Sequence, residues 1–341
     1  MTRYFVAMAQ KRQPRYRFAG TTPAHWRAWH KTLLPKAKAS LGQSPQQVPL
    51  NAQVTAQWQA DGLIKQRIEF DVEPDLSAVA LLFRPESATK ANKVPGIIAC
   101  HGHGTCAKEG VMGNQGHAAE IAAMNYDYGL QMAKAGYAVI AIDWRGFGER
   151  SDRRWPNSIN NYQETDECSA HYQRATMFNM TSLGMNVHDG MRAIDLLAGQ
   201  DFVDPARIGA MGLSFGGTMT TWLAICDPRV KAADIVCYSD RFIDFTMRDN
   251  NACGSQITPG LYDLCDVPDL QGLIAPKPLL VEIGTFDECF NIDSATSCHN
   301  ELRKIYQAAG AIDKLELDLF EGGHKWSGRK AFRFFKEHLG H

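Results

Sequence analysis

From Val94 onward, short apolar runs alternate with amphipathic stretches of ten or more residues, and this alternation constrains the fold more tightly than any other feature of the chain. "VPGIIAC", "YAVIAID", "RIGAMGL", "VKAADIVCYS", "PKPLLVEIG" and "KLELDLF" are too short for helices. Most are also too continuously apolar for strands with one wet face. Between them lie helical patterns. "YDYGLQMAKAG" stops at Gly136, and "SATSCHNELRKIYQAAG" stops at Gly310. "GMNVHDGMRAIDLLAG" carries Val187, Met191, Ile194 and Leu197 at helical spacing, and a last helix carries Phe332, Phe335 and Leu339. This order predicts an α/β fold of βαβ units, with a mainly parallel central sheet and helices on both faces. Ahead of it, "QVTAQWQADGLIKQRIEFDVEPDLSAVALLFRP" alternates around an Asp-Gly turn, which predicts antiparallel strands opening the sheet.

Residues 1–50 form an N-terminal extension with a short helix, and residues 51–341 form one domain. In the extension, Thr22 is placed to cap a helix, Pro23 to begin it and Pro35 to end it, with Trp26, Trp29 and Leu33 on one face. Two polar excursions, at about 150–182 and 240–275, follow strand ends, where ligands sit in open α/β sheets. The aromatic residues of the extension suit either a cover over the site or contact with a second copy in a homo-oligomer.

The 36 basic and 37 acidic residues give no basic excess, so neither a nucleic-acid partner nor an anionic membrane surface is expected. No apolar run reaches the length of a membrane span, and the first residues lack a signal-peptide pattern. Nine cysteines, an odd number without close pairs, point to a reduced compartment, the cytoplasm.

"GAMGLSFGG" places Ser214 between an apolar strand and a helix, with Gly212 and Gly216 leaving room for a tight turn. The alternative is a serine that merely starts a helix. A catalytic serine needs a base, and the base needs an acid to orient it. In this architecture the chain order is Ser, then acid, then His, each just past a strand. Asp287 follows "LLVEIG" and His324 follows "LDLFEGG", so both satisfy that order. Glu282 is a rival acid inside the strand, and Asp293 reads as a cap of the next helix. The oxyanion donors expected are the backbone amides of Phe215 and of His103, the latter in "CHGHGT". His101 and His103 also form a His-x-His pair, but no third ligand suggests itself, so no metal and no other cofactor is expected.

With these residues in place, the chain resembles the α/β-hydrolases. Within them it is similar to the bacterial acetyl-xylan-esterase-like and dienelactone-hydrolase-like group. "HGHG", "DWRGFGER", "RAIDLLAGQDFVDPARIGAMGLSFGG", "PKPLLVEIGTFDE" and "LELDLFEGGH" carry the resemblance over most of residues 94–340. "CGSQITPGLYDLCDVPDL" is similar to a stretch of one esterase-like subgroup. The resemblance implies Ser–Asp–His roles for Ser214, Asp287 and His324, and a small-molecule ester substrate, with acetyl on a carbohydrate preferred. Dienelactone hydrolases themselves use a cysteine nucleophile, which argues against a lactonase. The alternatives are an acyl-CoA thioesterase, a prolyl-oligopeptidase-like peptidase and, last, a non-enzymatic binding protein.

Arg145, Arg150, Arg153 and Arg154 cluster after a strand end, and Trp155 follows them. Arg145, Arg150 and Trp155 are the candidates for substrate binding. The competing reading makes Arg145 and Glu149 braces between loops.

Overall fold

The computed structural model describes residues 1–152 and 167–340. Among the described residues, nine strands form a single sheet: β1 (Gln53–Ala60), β2 (Leu63–Glu73), β3 (Leu76–Pro85), β4 (Val94–Cys100), β5 (Ala138–Ile142), β6 (Val203–Leu213), β7 (Val230–Val236), β8 (Leu279–Gly284) and β9 (Leu315–Phe320). Their spatial order is β1-β2-β3-β5-β4-β6-β7-β8-β9. The first three are antiparallel, β3 runs antiparallel to β5, and every later pairing is parallel. The Asp-Gly turn joins β1 to β2 with both residues at positive φ, 59° and 72°, as a two-residue hairpin turn requires.

The unbroken apolar runs have a direct cause: the central strands are buried on both faces. Ile98 and Cys100 of β4 join one core with Ala138, Ile140 and Ile142 of β5. That core is completed by the helices Ser182–Ala198, Phe215–Cys226 and Ile292–Ala309. Ile97 and Ala99 point the other way, into a second core with Val139 and Ala141 under the helices Tyr128–Lys134 and Ala331–Leu339. The exposed β1 closes the sheet as an edge.

Residues 1–50 contain two helices, Thr2–Lys11 and Pro23–Ser40, where one short helix was expected. Thr22 caps the second, its hydroxyl accepting from the His25 amide. The expected stop at Pro35 does not occur, because the helix continues to Ser40. Proline removes one backbone donor, but Leu33 and Ala37 are fully buried on either side of it, and their packing carries the helix through. This helix lies against the 240–275 excursion, with His30 Nε2 3.2 Å from the Leu273 carbonyl. Just before it, the Phe18 amide donates to Asp269.

Three acids, Asp234, Glu282 and Asp318, stand buried on the neighbouring strands β7, β8 and β9. Glu282 accepts from the Ser327 amide, and the Ser327 hydroxyl donates to Asp318. Burial pushes the Glu282 carboxyl up to about 7, against the Ser327 amide, which favours its charged form. Asp234 also lies well above its ordinary value, first through burial and then through the charge of Glu282. A raised carboxyl keeps its proton in the fold after the unfolded chain has released it, so stability declines as pH rises from about 4.5 to about 7. Glu282→Gln keeps the shape without the charge. It is expected to gain roughly 3 kcal/mol relative to the parent at pH 8 compared with pH 4.5. Urea unfolding at the two pH values measures this difference.

Candidate active site

The strands β6, β8 and β9 end on the same side of the sheet, and each delivers one of the expected residues. Ser214 follows β6 directly and opens the helix Phe215–Cys226. Its backbone sits at φ 63°, ψ −120°, a region that a residue with a side chain occupies only under strain. Two close approaches hold it there. A Cβ on Gly216 would lie 2.0 Å from the Cys100 carbonyl oxygen, and one on Gly212 would lie 2.5 Å from the same atom. The Ser214 amide donates to the Val236 carbonyl, which locks the turn to β7.

Asp287 and His324 are in direct contact, with Nδ1 of the imidazole 3.0 Å and 3.1 Å from the two carboxylate oxygens. Asp287 also accepts from the amides of Cys289 and Phe290, which fixes the carboxylate independently of the histidine. Burial by itself would raise this carboxyl. The hydrogen bond and charge of His324, together with the Cys289 amide, outweigh it and hold Asp287 below its ordinary range. The Phe290 ring stacks on His324 at 5.7 Å and 17°, so the imidazole plane is set by packing as well as by hydrogen bonding. Cys237, the residue after the carbonyl that binds the Ser214 amide, has its sulfur within 4.8 Å of both Asp287 and His324. The serine turn and the acid–imidazole pair therefore meet at the end of β7. Of the rival acids, Glu282 is engaged with Ser327. Asp293 is not the cap expected of it. Asn291 caps that helix, accepting from the amides of Asp293 and Ser294.

The loop after β4 crosses over Ser214. A Cβ on Gly102 would come within 3.2 Å of the Ser214 Cβ. The Gly102 amide is engaged by the Tyr126 hydroxyl, and His103 follows it. Phe215 opens its helix, where the first amides have no intrahelical acceptor. His101 is fully buried, with one ring nitrogen accepting from the Trp144 amide and the other 2.7 Å from the Gly102 carbonyl. Burial pulls its pKa down to about 4, so its ring is neutral and serves the loop. The exposed His103 ring instead packs on Phe215 at 5.0 Å.

The arginines behind the loop are heavily engaged. Arg145 grips the buried Asp189 with two bonds of 2.7 Å and also reaches Glu73. Arg150 donates to Asp189 at 2.8 Å and to the Asp143 carbonyl. Glu149 binds Lys108, which is buried against Asp143, and also binds Arg67. Arg145 and Arg150 nonetheless line a cavity of about 510 Å³, together with His171 and Arg174. Trp155, Arg153 and Arg154 lie outside the described residues. Sequence reasoning did not anticipate Phe290, Tyr126, Asp189 or Cys237, since none belongs to a motif and each matters only through a contact made in three dimensions.

The Bacillus subtilis (strain 168) protein YtaP is 24% identical over 290 residues, which is 83% of this chain and 90% of that one. The Bacteroides fragilis NCTC 9343 protein BF1801 superposes with a TM-score of 0.73 at 22% identity, covering 92% of this chain and 80% of its own. A glucuronoyl esterase from Solibacter usitatus gives a TM-score of 0.66 at 16% identity, covering 92% and 94%. Acetyl xylan esterase 1 from Thermoanaerobacterium sp. JW/SL YS485 gives 0.58 at 14%, covering 90% and 99%. These structures share the fold, with its mainly parallel sheet and its helices on both faces. The Abhydrolase family model matches residues 2–319, from the first helix through β8 and into β9 with the Ser214 turn and Asp287 but ending before His324, which places this chain in the Abhydrolase family.

Proposed function

We propose that this α/β-hydrolase cleaves a carboxylic ester through an acyl-enzyme, with Ser214 as nucleophile, His324 as base and Asp287 as its orienting acid. The observation that carries this reading is the strained Ser214 turn beside the Asp287–His324 pair. Backbone strain of about 1–3 kcal/mol persists where surrounding structure enforces it, and such sites cluster at reactive centres. Ser214 Oγ attacks the carbonyl carbon while His324 Nε2 takes its proton. Asp287, already bonded at Nδ1, fixes the tautomer and stabilises the imidazolium. The amides of Phe215 and His103 receive the developing oxyanion. His324 returns the proton to the departing alkoxide oxygen, the ester C–O bond breaks, and water repeats the sequence on the acyl-serine.

A short acyl group on a carbohydrate is the preferred substrate. Acetyl xylan, the ester named for one structural relative, is in keeping with it. So is a cavity of about 710 Å³ beside the His103 loop, lined by Thr105, Ser151, Glu167, Ser169, Asn250 and Asn251 among others, whose polar groups suit sugar hydroxyls. Among the described residues, no helix is long and apolar enough to cross a membrane. All nine cysteines are thiols, which suits a reduced compartment such as the cytoplasm. A series of p-nitrophenyl esters tests acyl length. Turnover is expected to be fastest for acetate and to fall by about tenfold or more by octanoate, because an acyl site fitted to a short group has to be forced open by the longer chain. Equal or faster turnover of octanoate would contradict the short-acyl assignment.

A further inference from the structure

Three side chains that the hydrolytic chemistry does not use converge beside the loop crossing Ser214. His103 Nε2 lies 3.1 Å from Cys253 Sγ and 3.9 Å from Cys168 Sγ. All three atoms lie within 4.8 Å of one another. They come from separate segments: the loop after β4, the first turn of the helix Glu167–Thr176, and the 240–275 excursion. In a tetrahedral zinc site, with arms of about 2.0–2.1 Å to nitrogen and about 2.3 Å to sulfur, neighbouring ligand atoms stand about 3.5–3.8 Å apart. The two His103 distances bracket that spacing, so small side-chain rotations bring all three ligands onto one centre.

The surroundings suit such a centre. The His103 ring is held between Phe215 and Phe147, at 5.0 Å and 5.7 Å. Cys253 Sγ accepts from the Ser255 amide at 3.3 Å, the kind of outer hydrogen bond that steadies a ligating sulfur. A Cβ on Gly254 would meet the Cys168 carbonyl at 2.9 Å, so the glycine lets the two cysteine segments approach. All three residues line the cavity of about 710 Å³, which gives an ion a way in and faces a fourth coordination position.

We propose that His103, Cys168 and Cys253 bind one thiophilic divalent metal ion of the zinc class, with water as fourth ligand. Two thiolates and a neutral imidazole make a soft set that balances a 2+ charge, whereas magnesium and calcium require oxygen ligands. Binding releases the two thiol protons and changes no oxidation state. The bound ion ties the loop carrying the His103 amide to two neighbouring segments and so fixes one wall of the site. The His-x-His pair visible in the sequence is not the ligand set. Both nitrogens of His101 are engaged elsewhere, and the partners of His103 lie 65 and 150 residues away.

The test is to strip the reduced full-length protein with chelator and titrate it with cobalt(II). The expected result is a thiolate-to-cobalt charge-transfer band with tetrahedral visible bands, saturating at one ion per chain and displaced by zinc. Cys253→Ser and Cys168→Ser should each weaken binding by at least about tenfold. The double variant should abolish the band, with circular dichroism verifying the fold of each. Ser214→Ala should bind cobalt as the parent does, so a failure of the nucleophile assignment leaves this result untouched. Absence of the charge-transfer band in the reduced parent, or its persistence at full strength in a folded double variant, would overturn the proposal.

Discussion

Ser214→Ala is expected to lower kcat/KM for p-nitrophenyl acetate by about 10⁴–10⁶-fold with the fold intact. In the proposed mechanism the hydroxyl oxygen forms the acyl bond, and what remains without it is oxyanion stabilisation and binding. The alanine inherits the same strained backbone at φ 63°. Ser214→Gly should be equally inactive but about 1 kcal/mol more stable, because glycine occupies that region without the Cβ penalty. Activity assays and urea unfolding on the two variants separate the roles, since a serine that only started the helix would be replaced without loss of turnover.

The largest stability loss is expected from Asp189→Ala. Asp189 is fully buried and receives Arg145 through two hydrogen bonds and Arg150 through a third, so its removal leaves two largely buried guanidiniums without their main partner. Leaving a buried charge unpaired costs about 3–5 kcal/mol. The urea midpoint should fall accordingly, and the soluble yield with it. An unchanged midpoint with a raised KM would instead assign Arg145 and Arg150 to the substrate, the alternative role that the sequence left open for them.

Most of the fold was legible because its signal is local. A strand covered on both faces is apolar along most of its length, and β4 and β5 read that way directly. The serine turn was legible for a related reason: glycines at 212 and 216 are required by contacts of 2.5 Å and 2.0 Å to one carbonyl oxygen. Asp287 and His324 are singled out by counting strand ends, and the structure brings Nδ1 of His324 within 3.0 Å of the Asp287 carboxylate. Pro35 misled because its local penalty is outweighed by the burial of Leu33 and Ala37, which no local pattern records. Asp293 misled because asparagine and aspartate cap equally well, and Asn291 stands at the correct register. The His103–Cys168–Cys253 cluster was illegible for a third reason. Its members lie far apart in sequence and carry no spacing rule, so only the folding of the excursion onto the loop brings them together.

The most direct test of the central claim is intact-mass analysis of the full-length protein after exposure to a fluorophosphonate, with peptide mapping of the adduct. One phosphonyl group per chain is expected, on Ser214, and none on Ser214→Ala. Unmodified parent protein that is fully folded, or an adduct on any other residue, would contradict it.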